Sequence, residues 1–402
     1  MGTKNFSNAN DLITFSRASG GTYLDSDGVL KLASSDVPRI EYDADGNVLG
    51  LLVEESRTNL VTYSEDITQW STANAPTVTS NIATAPDGTS TVDGVQSETG
   101  GAYRRVKPYN STCTPNGTYT GSVFVKKETS ETNYGGVVLN FTGGTAKACY
   151  GIIDAVAGTI TAPSSGNTIT ATYSAVDIGD FWRFSITATD DGSNTSLEFG
   201  IYGTLSDDGV SLADSTGSVR KIWGAQLEAG AFPTSYIPTA GATATRSADV
   251  ASIPVADFGY NQSEGSVVVE ASTVSTAQSN HTDLRIKSSN GGFTVTDSGS
   301  KVGNFAAGSY VVYAPQTSVL MKIDSVITEK QAYKAAYAIK ENDAAVCVDG
   351  SSVVTDTATT FAAFPASVFE IGKGANYLNG HIKSIKYFPR CLTNSQLVEI
   401  TQ

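Results

Sequence analysis

The sequence predicts an all-β protein with an N-terminal β-hairpin module, two jelly-roll or β-sandwich domains and a short C-terminal helix. Three observations support this fold class. The chain of 402 residues contains 39 Gly, 18 Tyr and 15 Phe, and aromatic residues suit pleated strands while Gly suits turns. Many short stretches alternate apolar and polar residues, as half-buried strands do. Asp-Gly and Asn-Gly pairs recur between these stretches and are strong hairpin signals.

The first 60 residues read as a hairpin module. Asp27-Gly28 and Asp45-Gly46 each lie between two alternating stretches, which predicts a tight turn at both places. The D-x-D-G pattern of these loops also raises a calcium hypothesis, but the other oxygen ligands of an EF-hand loop and its final Glu are missing. We therefore predict no cofactor, and structural calcium in these two loops is the alternative.

Residues 61–250 predict the first domain, a β-sandwich or jelly roll. Short β-type runs such as 118–127, 135–144, 181–190 and 196–203 are separated by turn signals. In one of them Trp182, Phe184 and Ile186 share a face, and the intervening polar residues share the other. The stretch 234–254 is rich in Ala, Thr, Ser and Pro without sustained periodicity, so we place a domain boundary near residue 250.

Residues 251–402 predict the second β-sandwich. The segment 330–343 is ambiguous, because its Ala, Lys and Glu favour a helix. Tyr333, Ala335, Tyr337 and Ile339 nevertheless fall on one strand face, and Asn342-Asp343 forms a turn signal, so we predict a hairpin. The tail SQLVEITQ predicts the C-terminal helix, with Asn394 as its N-cap.

Charge and cysteine usage exclude several functions. With 26 Lys+Arg against 40 Asp+Glu, the formal net charge is -14, and nucleic-acid affinity needs basic residues, so we expect no nucleic-acid partner. We expect no membrane insertion, because apolar runs are short. The polar start MGTKNFSNAN predicts no signal peptide and hence synthesis in the host cytoplasm. Four distant cysteines and two His predict buried thiols and no metal site.

Three stretches of the chain resemble proteins of tailed-bacteriophage virions. Residues 13–66 resemble a module frequent in those proteins, with the landmarks Ser16-Arg17-Ala18-Ser19, Val37-Pro38-Arg39, Leu49 to Glu54 and Arg57-Thr58-Asn59-Leu60. Residues 223–249 are similar to the closing strand and exit linker of a carbohydrate-binding-module-like jelly roll. Residues 369–401 are similar to the end of concanavalin A-like or laminin-G-like lectin sandwiches, where an Asn-Gly turn leads into a strand and a short helix.

The resemblance implies a tail fibre, tailspike or other appendage on the virion surface, which binds host cell-surface polysaccharide and contacts other virion proteins. It also implies a homo-oligomer, by analogy a trimer. We therefore expect a non-enzymatic receptor-binding protein. Two alternatives stay open, because such folds host many functions. One is a capsid or tail decoration protein with a structural role, and the other is a polysaccharide depolymerase.

The sequence contains no recognisable catalytic constellation. Glycoside hydrolysis needs two carboxylates at a set separation, whereas the neighbours Glu54 and Glu55 would point to opposite faces of a strand. No G-x-S-x-G elbow accompanies the two His.

The candidate site residues are those that suit sugar binding. Aromatic faces cover the C–H patches of a sugar, and polar groups satisfy its hydroxyls. For the basic stretch YRRVKP two interpretations stay open, contact with an acidic polysaccharide and a solvated strand face. For the aromatic candidates the alternative is packing on the core or over a turn. The candidates are Trp70, Tyr103, Arg104, Arg105, Tyr109 and Tyr134 in the first sandwich and Tyr377 in the second.

Overall fold

The structure is a computed structural model that describes residues 13–97, 104–129, 134–203, 218–274, 281–288, 291–298, 309–313, 319–323, 327–328, 330–358, 366–373 and 376–402. Within these ranges the chain is built almost entirely of antiparallel strands, with one α-helix at the C-terminal end. The predicted all-β class is therefore confirmed. None of the helices in these ranges has the length and apolarity needed to cross a membrane.

The first sandwich consists of two six-stranded sheets. One sheet has the order β14-β13-β12-β17-β10-β7, with β14 Thr159–Thr161, β13 Lys147–Asp154, β12 Tyr134–Thr142, β17 Ser196–Tyr202, β10 Arg105–Thr112 and β7 Ser71–Ala73. The other has the order β15-β16-β11-β18-β9-β8, with β15 Ala171–Ile178, β16 Phe181–Thr189, β11 Thr118–Lys126, β18 Val219–Ala229, β9 Val92–Gln96 and β8 Thr77–Ala83.

Strand alternation places the core between these two sheets. Phe184 and Ile186 of β16 are fully buried there against Phe199 and Ile201 of β17. A second cluster covers the opposite face of the β11–β18 sheet, where Phe124 and Trp223 pack on Tyr236 of the segment that follows β18. Both faces of this sheet are thus partly covered, because the segment after β18 packs on the outer face.

The second sandwich consists of two seven-stranded sheets. The first has the order β1-β20-β29-β22-β23-β24-β25, with β1 Thr14–Ser16, β20 Val250–Pro254, β29 Ala366–Ile371, β22 His281–Ser288, β23 Gly291–Ser298, β24 Ser309–Tyr313 and β25 Val319–Ile323. The second has the order β28-β27-β26-β21-β30-β5-β4, with β28 Val354–Asp356, β27 Asp343–Val348, β26 Tyr333–Lys340, β21 Glu264–Thr273, β30 Gly380–Phe388, β5 Val48–Val53 and β4 Ile40–Tyr42.

The N-terminal strands are built into the second sandwich. Strand β1 pairs with β20, and β5 pairs with β30 so that Leu51 lies opposite Ile382. Two small ribbons complete this region: β2 Gly21–Leu24 pairs with β3 Leu30–Ala33, and β6 Arg57–Asn59 pairs with β19 Ala244–Arg246. The first 60 residues therefore contribute strands to the same sheets as the C-terminal part of the chain.

The ambiguous segment forms the predicted hairpin. Strands β26 and β27 pair from Ala335 with Val348 to Lys340 with Asp343, and Asn342 adopts the positive φ of 56° that a tight turn requires. Burial of Tyr333, Ala335 and Tyr337 in the sandwich core overrides the helix propensity of the surrounding Ala and Lys residues.

The C-terminal helix α1, Asn394–Thr401, begins one residue earlier than predicted. Thr393, not Asn394, is its N-cap, because the Thr393 side chain accepts from the backbone N–H of Gln396 and the Gln396 side chain accepts from the Thr393 N–H. This capping box satisfies two donors that a helix start leaves open. All four cysteines are free thiols, and Cys149 and Cys347 are buried.

Candidate ligand-binding surfaces

Trp70 lies in the core of the first sandwich. Only 8% of its surface is exposed, and its indole Nε1 donates to the backbone carbonyl of Tyr63 over 2.6 Å. The indole ring packs among the buried residues of the core. This placement corrects the expectation of an exposed sugar platform at Trp70. The physical reason is that a Trp following a strand end finds its largest gain in apolar burial.

The basic stretch is only partly an exposed patch. Tyr103 lies outside the described residues. Arg104 is half-buried and donates through Nη1 to the carbonyl of Ala75 over 2.6 Å. Arg105 and Lys107 both reach Glu198 of the neighbouring strand β17, with Nη2 and Nζ at 2.6 and 2.9 Å from its carboxylate oxygens. Glu198 thus has two cationic partners.

Arg105 lies on the outer side of the sheet, away from the sandwich core. Its neighbour Val106 is fully buried in the core, so the alternation of β10 sends the Arg105 side chain outward. Its guanidinium lies 5.6 Å from the ring centroid of Tyr202. Gly200 makes room for it, because a Cβ there would come within 3.0 Å of the Arg105 Cδ and 2.8 Å of Val138.

Tyrosines complete this outer surface. Tyr134 and Tyr150 are half-buried and pack with Val138 and Tyr202, which are both covered, in a small cluster separate from the core. Their strands pair in register, with Val138 opposite Tyr150 on one side and Gly200 on the other. We call this surface the outer tyrosine face; it consists of Arg105, Lys107, Tyr134, Val138, Tyr150, Glu198 and Tyr202.

Two predicted residues lie elsewhere. The Tyr109 hydroxyl donates to the carbonyl of Thr112 over 2.6 Å, and its ring packs against the core beyond a bulge in β10. Burial raises the pKa of Tyr109. Tyr377 packs on the core of the second sandwich, with the Lys373 ammonium 5.3 Å from its ring centroid. The outer tyrosine face thus brings together Arg105 and Tyr134 of the predicted set, and it adds Tyr150 and Tyr202, which the sequence analysis missed.

A cleft of about 380 Å³ separates the two sandwiches. One wall comes from β15 and β16 of the first sandwich, where Arg183, Ser185 and Thr187 form the outward face predicted for β16. The other wall comes from β4 and β5 and from the second sandwich. We call it the inter-sandwich cleft. No sequence motif marks it, because its walls meet only after the N-terminal strands join the second sandwich.

A carboxylate–imidazole pair lies in the wall formed by the second sandwich. Glu41 of β4 and His381 of β30 are 340 positions apart in the chain, yet Glu41 Oε2 and His381 Nε2 are 2.7 Å apart. The other carboxylate oxygen accepts from the backbone N–H of Leu24 over 3.2 Å. On the far side, Ser272 Oγ lies 3.4 Å from His381 Nδ1. The pair is therefore held in one orientation by neighbours on both sides.

Arg183 provides a fixed positive charge in the opposite wall. Its guanidinium donates to the carbonyl of Thr234 over 2.7 Å and to Ser122 Oγ over 3.0 Å, and it lies 5.3 Å from the ring centroid of Phe124. Burial lowers the pKa of Arg183, while the nearby Glu228 carboxylate acts in the opposite direction. The Arg remains charged at neutral pH, because the ordinary pKa of a guanidinium lies far above it.

A buried ionic network beside the cleft links the N-terminal strands to the segment between the two sandwiches. Asp249 accepts from Arg17 Nη1 over 3.1 Å and from Arg39 Nη2 over 2.6 Å, and Arg39 Nη2 also lies 2.8 Å from Glu54. Arg246 Nη2 lies 3.5 Å from the same Glu54 oxygen. All five side chains are almost fully buried. We call these residues the junction network; they belong to the landmarks that carry the phage resemblance, which are therefore structural in this chain.

The environment of Glu54 keeps it ionised. Burial alone would raise its pKa, but the Arg246 and Arg39 guanidinium groups and hydrogen bonds from Ser235 outweigh that effect and hold the pKa of Glu54 well below its usual range. The Ser235 hydroxyl and N–H donate to Glu54 over 2.7 and 2.8 Å. Glu55 instead pairs with Arg57, so these two neighbouring carboxylates serve different partners.

The two D-x-D-G loops form the predicted turns. Asp25 Oδ1 accepts from the backbone N–H of Asp27 and Val29, and Asp43 Oδ1 accepts from that of Asp45 and Asn47. Each leading carboxylate is thus occupied by its own loop. In the part of the chain that the structure describes, no group of three or more His, Cys, Asp or Glu side chains is placed to hold a metal ion.

Comparison with known proteins yields only distant likenesses. No family model matches the sequence, and no curated protein does. Domain 4 of AbnA, a GH43 extracellular arabinanase from Geobacillus stearothermophilus, is 15% identical over 42% of this chain and 82% of that chain, with a TM-score of 0.32. Trypanosoma rangeli sialidase is 12% identical over 77% of this chain and 60% of that chain, with a TM-score of 0.31. Mouse laminin alpha1 domains LG4-5 are 10% identical over 85% and 93%, with a TM-score of 0.24. These weak likenesses assign no function.

Proposed function

We propose that this protein is a non-enzymatic glycan-binding component of a bacteriophage particle, and that the outer tyrosine face is its ligand surface. The observation that carries the proposal is the meeting of Tyr134 and Tyr150 with Arg105 and Lys107 on the side of a sheet that faces away from the core. The phage assignment and the place on the virion surface rest on the resemblance of the landmark motifs.

The chemistry of this face favours an acidic polysaccharide. Two cations, Arg105 and Lys107, lie together on this face of a protein of net charge -14. Fields act locally, so a carboxylate on a sugar would be attracted here although the protein as a whole repels anions. The half-buried rings of Tyr134 and Tyr150 offer the apolar surface on which a sugar ring stacks.

The test is binding of the purified protein to host cells and to purified host envelope polysaccharide. We expect Lys107→Ala to weaken binding about tenfold, the loss of one charge-assisted contact worth ~1.4 kcal/mol. Tyr134→Ala should weaken binding by a similar factor, because it removes a stacking surface. Association rates and equilibrium binding can be measured by surface plasmon resonance at two salt concentrations.

Lys126→Ala is the matched control. Lys126 also pairs with a carboxylate, Asp180, but it lies on the other sheet of the same sandwich. Its removal should leave binding unchanged. Equal losses in Lys107→Ala and Lys126→Ala would contradict the proposed surface, and release of reducing ends during incubation would replace the binding function by a depolymerase.

A decoration protein with a structural role is the second candidate. The observation that favours it is the junction network, which joins the N-terminal strands to the segment between the sandwiches through buried ion pairs. This role predicts tight binding to purified capsids or tails and none to host cells. Antibody labelling of purified particles places the protein on tail or capsid under either role.

A further inference from the structure

The inter-sandwich cleft has the size of a small-molecule site. Its volume of about 380 Å³ lies within the range of ~300–1,000 Å³ that ligand pockets occupy. Its walls come from the first sandwich, the N-terminal strands and the second sandwich, so an occupant would contact all three. Such a site is independent of the outer tyrosine face, which lies on the other sheet of the first sandwich.

The charges of the cleft wall are largely offset by the protein itself. Two wall carboxylates pair with cations at 2.7 to 2.8 Å, Asp177 with Lys127 and Glu54 with Arg39. The third, Glu41, has the His381 imidazole as its hydrogen-bond partner at 2.7 Å. Asp43, the fourth, accepts hydrogen bonds from its own turn. The wall also carries two cations, Arg183 and Lys330, so that together with Lys127 and Arg39 four cations stand against four carboxylates. A charged ligand would lose hydration on entry to a wall whose charges sum to zero, which disfavours it. The occupant that fits is therefore neutral.

The remaining wall combines apolar surface with hydroxyl groups. Leu49, Val176 and Phe232 contribute the apolar part, while Thr172 and Ser185 contribute hydroxyls that both donate and accept hydrogen bonds. A sugar ring presents the same combination, with C–H patches on its faces and hydroxyls around its rim. The carboxylate and imidazole of the Glu41–His381 pair are planar polar groups of the kind that bind neighbouring sugar hydroxyls.

We propose that the inter-sandwich cleft is a binding site for a neutral saccharide of one or two rings, distinct from the acidic-glycan surface of the proposed function. The occupant lies between Arg183 and Ser185 on one side and the Glu41–His381 pair on the other. Because it contacts both sandwiches, its binding also stabilises their arrangement.

The test uses six neutral probes: glucose, galactose, rhamnose, N-acetylglucosamine, lactose and chitobiose. Saturation-transfer NMR and thermal unfolding of the full chain report binding, and glucuronic acid and glucosamine are the charged comparisons. We expect transfer to at least one neutral probe, a raised unfolding temperature with the same probe, and at least tenfold weaker binding of both charged sugars.

Val176→Trp fills the cleft from a wall position that is 38% exposed, and Val156→Trp makes the same change at a position that is 37% exposed outside the cleft. We expect at least a tenfold loss of affinity in the first variant and none in the second. Glu41→Gln keeps the side-chain shape and should also weaken binding. It replaces Val176→Trp as the test variant if that protein fails to fold.

The proposal is overturned if no neutral probe binds, if Val176→Trp binds like the wild type, or if Lys107→Ala abolishes the binding instead. The last result would assign the saccharide to the outer tyrosine face and leave the proposed function standing.

Discussion

Asp249 shows how a single buried carboxylate joins distant parts of the chain. Its oxygens accept from Arg17, from Arg39 and from the backbone N–H of Glu54, which are 232, 210 and 195 positions away. The side chain is fully buried, so water cannot replace any of these partners. Removing its charge leaves buried guanidinium groups with too few counter-charges, which is far more costly than breaking a surface pair.

We therefore expect Asp249→Asn to lower the free energy of unfolding by about 3–5 kcal/mol, the cost of breaking a buried ion pair from one side. The measurement is urea unfolding followed by tryptophan fluorescence. Asp180→Asn removes a carboxylate of an exposed pair and should change stability by less than ~1 kcal/mol. Equal unfolding midpoints for the two variants would show that the junction network does not stabilise the fold.

At the level of elements, strand β16 contributes side chains to both the core and the cleft, because successive side chains point to opposite faces. Phe184 and Ile186 fill the first core, while Arg183, Ser185 and Thr187 line the inter-sandwich cleft. This alternation was visible in the sequence, since the period of two is a local property. What lies opposite the polar face is not visible in the sequence, because the facing wall comes from strands that are distant in the chain.

The two faces of β16 should respond differently to truncation. Phe184→Ala creates a cavity in a fully buried site and should lower the free energy of unfolding by about 3–5 kcal/mol. Thr189→Ala, at the exposed end of the same strand, should change it by about 0.5 kcal/mol or less. Differential scanning calorimetry of both variants checks this. A loss below ~1 kcal/mol for Phe184→Ala would mean that β16 does not pack as described.

At the level of the whole molecule, strands from the N-terminal part of the chain pair with strands of the second sandwich. Strands β4 and β5 extend a sheet whose other members come from residues beyond 260, and β1 extends the facing sheet, whose other members begin with β20 at Val250. The junction network then links these strands to the segment between the sandwiches.

We expect the protein to lose stability on acidification, in part through Glu54. Its pKa is lower in the folded than in the unfolded chain, so the stabilisation is fully present above the ordinary value of 4.5 and is lost as the pH falls below it. Urea unfolding at a series of pH values between about 6 and 3 measures this dependence. Glu54→Gln should flatten the slope of unfolding free energy against pH in that window. An unchanged slope in the variant would exclude Glu54 as a contributor.

The sequence by itself determined the class of fold, the turns and the strand alternation, because these follow from local chemistry: Asp-Gly pairs favour tight turns, and period-two patterns have one buried face. It also indicated Arg105 and Tyr134, which do share a surface with Tyr202. It did not separate Trp70, a core residue, from exposed aromatics, since burial depends on what packs above a ring. Only the tertiary structure revealed the junction network, the Glu41–His381 pair and the inter-sandwich cleft. Their residues are separated by up to 340 positions. Local sequence patterns do not predict which distant side chains come into contact when the chain folds.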